Sequence, residues 1–148
     1  MLTKEIFPHA TEETKAIRMR VFVEEQGFVT PEEEFDHYDE GGVHVLLRWD
    51  GEIAGTGRMI FEENAAPGRA KFGRIAVLPQ FRKHTAHVGA NVLAALVEEA
   101  RSAGVKTVYL SAQCQAQKFY ERCGFAAQGP VYDENGIPHV HMELTLEA

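Results

Sequence analysis

The chain has 148 residues, 45% of them hydrophobic and 25% charged, which suffices for one domain with a packed core. Its net charge of −7 argues against non-specific nucleic-acid binding, and its apolar runs fall far short of the ~18–20 residues of a membrane span. The opening MLTKEIFPHATEE has no apolar core of the kind a secretory signal needs.

Leu2–Phe7 reads as an edge strand. Thr11 to Glu25 reads as one helix capped by Thr11 and stopped by Gly27, with Ile17 and Val21 on its inner face. Pro31 with Glu32–Glu34 predicts a short helical turn. Val43–Trp49 and Glu52–Phe61 flank Asp50-Gly51, a hairpin signal. Phe72–Leu78 is a strand stopped by Pro79. Val88 to Ala103 is a helix with a stripe of Val88, Val92, Leu96 and Ala100, closed by Gly104. Val105–Leu110 is a strand, Gln115–Arg122 a helix, and Phe125–Tyr132 with His139–Leu146 a hairpin around Asn135-Gly136. The order predicts one α/β domain over residues 1–148, with a mixed, mostly antiparallel sheet and a central β-α-β crossover whose strands are parallel. If Cys114 and Cys123 lie along one helix, roughly 13 Å separates them, too far for a disulfide. Two reduced thiols imply a cytoplasmic setting.

Charge is segregated along the chain. Residues 21–47 hold eight acids and no Lys or Arg, whereas residues 64–97 hold five bases and no acid. A solvated face explains either run, and so does attraction of a cation by the first and of a polyanion by the second. His139-x-His141 matches no common zinc spacing, so no metal is expected. No Walker or Rossmann glycine pattern is present.

Three stretches carry a family resemblance: RMRVFVEEQ (residues 18–26), GRIAVLPQFR (73–82), and SAQCQAQKFYERCGF with VYDENGIPHVHMEL (111–125 and 131–144). With the element order, they make the chain similar to the GNAT N-acetyltransferase superfamily, closest to its ElaA-like branch. The resemblance implies a GNAT fold whose two parallel strands splay apart, with acetyl-coenzyme A in the gap. Unpaired strand amides favour a ligand that pairs them. It places the pantetheine arm beside Ile75, Ala76 and Val77, and one strand amide on the thioester oxyanion.

By the same resemblance, the pyrophosphate sits at the start of the helix near Val88, where free N–H groups favour an anion. The family's loop has the form Arg/Gln-x-x-Gly-x-Gly/Ala, but this chain reads RKHTAHVGA. Val88, Gly89 and Ala90 match the helix start. His84 and His87 stand where Arg/Gln and the first glycine are expected. A histidine at a positive-φ position costs roughly 1–2 kcal/mol. The expectation is therefore a reshaped loop in which Arg82, Lys83, His84 and His87 supply side-chain donors.

Tyr120 matches the family tyrosine whose phenol protonates the departing thiolate. Gln113, seven residues earlier, stands where a cofactor-contacting Asn is frequent. Glu25, His44 and His139 are alternatives for the base that takes the amine's proton. The acidic run from Glu24 to Glu40 suggests a cationic small molecule or lysine-like amine as acceptor. The resemblance also allows a homodimer. A non-catalytic acyl-coenzyme A sensor on the same fold is the alternative reading.

Overall fold

The computed structural model describes residues 1–146, so the last two positions of the expected domain lie outside the described residues. Seven strands form one sheet in the order β1-β2-β3-β4-β5-β7-β6. They are β1 (Leu2–Phe7), β2 (Val43–Trp49), β3 (Glu52–Ile60), β4 (Arg69–Val77), β5 (Thr107–Gln113), β6 (Ala126–Glu134) and β7 (Ile137–Thr145). All neighbours are antiparallel except β4 and β5. Both hairpin turns use positive φ at two consecutive residues, Asp50 with Gly51 and Asn135 with Gly136, as a two-residue type I′ turn requires.

Helix α1 (Glu12–Arg18) begins at a Thr11–Thr14 capping box. The expected single helix to Glu25 is instead α1 followed by a π-helical segment, Met19–Gln26, ended by Gly27 at φ 72°. Helix α2 (Pro31–Glu34) is one turn capped by Thr30. Helix α3 (Val88–Ser102) buries the expected stripe and crosses from β4 to β5. Its close approach depends on two glycines of β3. A Cβ on Gly55 would lie 2.7 Å from Val88 Cγ1, and one on Gly57 2.7 Å from Val92 Cγ1. Helix α4 spans Gln117–Arg122. Cys114 lies in the 3₁₀ turn before α4 and Cys123 at its C-cap, so the two free cysteines do not share one helix. No helix among the described residues is long and apolar enough to cross a membrane.

The parallel pair positions the site. β4 and β5 pair at Arg69↔Thr107, Ala70↔Val108 and Lys71↔Tyr109, and there the ladder stops. β4 continues along β3 to Val77, and β5 along β7 to Gln113. The strands therefore diverge, and the β5-facing edge of β4 from Phe72 onward has no strand partner. One extra β4 residue, between Gly73 and Ala76, bulges against Thr56–Arg58 of β3, with Arg74 at φ 51°.

Candidate active site

The divergence opens a cleft of about 670 Å³. Ile75, Ala76 and Val77 line one wall and Ser111 and Gln113 the other. The π-helical segment covers it with Val21, Phe22 and Gln26. Gln113 donates to Gln26 Oε1 at 3.1 Å and accepts from Gln115 Nε2 at 2.9 Å, which ties this segment to the end of β5.

Tyr120 reaches the cleft from α4. Its ring sits edge-on to Phe119 and Phe125, with centroids 5.2 and 5.9 Å away. Burial, with a smaller contribution from Cys123, pushes its phenol up to about 12. The hydroxyl is thus protonated at neutral pH, the state an acid must hold.

His139 lines the cleft and is 6% exposed. Its Nδ1 lies 2.8 Å from the Ile137 carbonyl oxygen. A carbonyl only accepts, so Nδ1 carries a proton, and whenever the ring is neutral the lone pair is on Nε2. Nε2 is 3.4 Å from Glu134 Oε2. His44 lies elsewhere: it is 1% exposed, bonds the Gly41 carbonyl at 2.7 Å, and does not line the cleft. Burial, the largest influence, lowers its pKa.

Glu25 and Arg82 are bound to each other. Arg82 Nη1 and Nη2 donate to the two Glu25 carboxylate oxygens at 2.6 and 2.5 Å, and Nε donates to the Val77 carbonyl at 3.0 Å. The Arg82 hydrogen bonds hold the Glu25 carboxyl below the usual range. That disfavours proton uptake, and Glu25 is outside the cleft lining.

The loop before α3 departs from the expected reshaping. His87 keeps the left-handed conformation of a glycine, φ 51° and ψ 55°, and no side chain caps α3. The first-turn N–H groups, at Val88, Gly89 and Ala90, are therefore open to an anion. Gly89 packs under Phe119, where a Cβ would lie 3.2 Å from Cζ. His84 is turned inward, accepting from the Ala86 N–H at 3.0 Å and lying 4.6 Å from the Trp49 ring. Lys83 and His87 are exposed. Arg82 lines the cleft, whereas Lys83, His84, His87, Val88, Gly89 and Ala90 stand outside its lining.

Four of the eight acids in the acidic run are paired with arginine, Glu25 with Arg82 and three others in one network. Glu34 and Asp39 bind Arg18, Asp36 and Asp39 bind Arg58, and Glu34 and Asp36 bind Arg74. Three guanidinium groups face three carboxylates. The Glu34 carbonyl also accepts from Arg18 Nη2 at 3.0 Å and Arg74 Nη2 at 2.9 Å. Burial works to raise Asp39, but the hydrogen bond and charge of Arg18 outweigh it and bring its carboxyl to about 2. This network anchors the loop after α2 to β3 and β4, and these three acids are not free for a cationic ligand. The network leaves no local signal in the sequence because its partners lie 16 to 40 residues apart. Glu134 gives no local signal either, because only the register of β6 brings it to the cleft.

Comparison with known proteins agrees with this geometry. A family model for the acetyltransferase (GNAT) domain matches residues 9–146. The N-acetyltransferase YjcF of Bacillus subtilis is 35% identical over 128 residues, covering 85% of this chain and 86% of its own. ElaA of Escherichia coli is 30% identical over 128 residues, covering 85% of this chain and 81% of its own. The ElaA crystal structure matches with a TM-score of 0.83 at 27% identity, over 97% of this chain and 99% of that one. A Bacillus subtilis acetyltransferase solved in complex with CoA has the same fold, with a TM-score of 0.72 at 20% identity over 99% of this chain and 100% of that one.

Proposed function

The chain belongs to the GNAT acetyltransferase family, in its ElaA-like branch, and on that premise we propose that it transfers acetyl from acetyl-coenzyme A to an amine by direct attack on the thioester. The carrying observation is the divergence of β4 from β5 with Tyr120 beside it. An unpaired β4 edge suits a ligand arm bearing amides, and the uncapped start of α3 suits a pyrophosphate. The fold neighbour solved with CoA supports the same choice of cosubstrate. No group of three or more His, Cys, Asp or Glu among the described residues is placed to hold a metal ion.

In this reading a β4 amide donates to the thioester oxygen as negative charge develops on it. The amine nitrogen bonds to the carbonyl carbon, the C–S bond breaks, and the Tyr120 hydroxyl gives its proton to the leaving sulfur. His139 Nε2 takes a proton from the amine. Two free cysteines support a reducing, cytoplasmic setting.

Acetyl-coenzyme A at a hundred times its dissociation constant should stabilise the fold by about 2.7 kcal/mol. A panel of amines should then release free thiol faster than an amine-free blank. Stabilisation without amine-dependent thiol release would overturn transfer.

A further inference from the structure

An amine acceptor that is charged at neutral pH needs a carboxylate to meet it and a base to deprotonate it. Of the acidic run only Glu33 and Glu34 line the cleft, and Glu34 is held by Arg18 and Arg74. Glu33 Oε1 accepts from the Thr30 N–H at 2.9 Å in a helix cap. Glu134 is different. It lines the cleft, its side chain is 47% exposed, and among the described residues no Lys or Arg pairs with it.

Its neighbours form a polar corner at the β5, β6 and β7 end of the cleft. Ser111 Oγ donates to Glu134 Oε1 at 3.3 Å and is hydrogen-bonded to the Tyr132 hydroxyl. The Tyr132 ring is inclined 25° to the His139 ring, with centroids 6.2 Å apart. His139 is almost fully buried, and its Nε2 makes no hydrogen bond within the described residues. A buried imidazole nitrogen 3.4 Å from a half-exposed carboxylate that no Lys or Arg neutralises, both lining the cleft, suits a ligand that brings an N–H donor and a positive charge.

Resting on the acetyl-transfer reading, we propose that Glu134, supported by Ser111 and Tyr132, is the ammonium-binding subsite, and that the acceptor is an alkylamine charged at neutral pH. Glu134 receives the ammonium, and one N–H proton passes to His139 Nε2. The freed nitrogen lone pair bonds to the thioester carbon. As the C–S bond breaks, Tyr120 protonates the sulfur and recovers a proton from the acylated nitrogen. The His139 proton leaves to solvent. The sum is one ammonium and one thioester giving one amide, one thiol and one proton.

The test compares butylamine, charged at pH 7, with aniline, uncharged at pH 7, in wild-type protein and E134Q. E134Q should lower kcat/KM for butylamine at least tenfold, mainly through KM. It should leave aniline within about twofold, and the acetyl-coenzyme A dissociation constant unchanged by calorimetry. Equal losses for both amines, or none for either, overturn the subsite while acetyl transfer stands. If wild-type protein releases no thiol with either amine, acetyl transfer itself fails. Calorimetry of butylammonium on the coenzyme A-saturated protein then decides the subsite alone: a tenfold weakening in E134Q supports it, and equal affinity overturns it.

Discussion

Arg82 and Glu25 are joined by two hydrogen bonds that link the β4–α3 connection to the last turn of the π-helical segment, across 57 residues of sequence. With Nε on the Val77 carbonyl, the guanidinium is engaged on all three nitrogens, so a bound phosphate has to compete with Glu25 for it. Glu25→Gln should tighten acetyl-coenzyme A binding about fivefold, the scale of a partly exposed ion pair of about 1 kcal/mol. Arg82→Ala should weaken it. Calorimetry measures both. Glu25→Gln should also keep its kcat, because a carboxyl lowered by Arg82 is a poor proton acceptor; a collapse of kcat with intact binding would restore Glu25 as the base.

Tyr120→Phe removes only the hydroxyl from a ring held by Phe119 and Phe125. The fold and the acetyl-coenzyme A dissociation constant should stay within error, while kcat falls about a hundredfold, the lower range for a lost general acid. Because burial pushes the phenol to about 12, Tyr120 stays protonated from neutral pH to well above 10. The kcat profile of the wild type should therefore show no loss assignable to this hydroxyl below pH 11, and stopped-flow thiol detection over pH 7–11 checks it.

What the sequence disclosed and what it hid follow from the range of the interactions. Asp50-Gly51 and Asn135-Gly136 announce their turns because positive φ is a local demand. The stripe of α3 is legible because its period is regular. The π-helical segment was not, since a wider turn leaves the same residue types in nearly the same spacing. Nothing local separates Glu34, bound to Arg18 and Arg74, from its neighbour Glu33. The glycine-like backbone of His87 also contradicts its residue type. Tertiary packing overrides a penalty of roughly 1–2 kcal/mol there.

The arginine–carboxylate network makes a pH prediction. Asp39 falls from an ordinary 3.8 to about 2 in the fold, equivalent to about 2 kcal/mol. A depressed carboxyl stabilises the fold above its unfolded value, and that contribution is lost as pH falls through the folded value. Asp36 is lowered in the same sense by Arg58 and Arg74 against the pull of burial. His44, lowered by burial from 6.5, adds a loss that begins below its ordinary value. Urea midpoints should decline modestly below pH 6.5 and steeply between about 4 and 2. Asp39→Asn should cost about 3–5 kcal/mol at pH 7, because Arg18 and Arg58 lose a buried partner. It should also flatten the steep acid limb, and an unchanged limb would show that Asp39 does not govern it.

Gly55 and Gly57 separate stability from cofactor affinity. Both lie under α3, and a Cβ on either meets a valine methyl at 2.7 Å. Overpacking of this kind costs about 1–3 kcal/mol, so Gly55→Ala and Gly57→Ala should lower Tm by similar amounts. Their positions along the helix differ. Gly55 meets Val88, the first residue of α3, and would also crowd the Ala76 carbonyl and Val92 Cγ2 at 3.3 Å, whereas Gly57 meets Val92 and Leu96, one turn and more into the helix, and the side chain of Ile75 at 3.2 Å. Lifting the first turn displaces the uncapped N–H groups of Val88, Gly89 and Ala90. Lifting the middle leaves them nearer their place. Gly55→Ala should therefore weaken acetyl-coenzyme A binding by roughly tenfold, about 1.4 kcal/mol, and Gly57→Ala by much less at matched Tm loss. Equal dissociation constants in the two variants would mean that the start of α3 contributes no more to the cofactor than the rest of the helix.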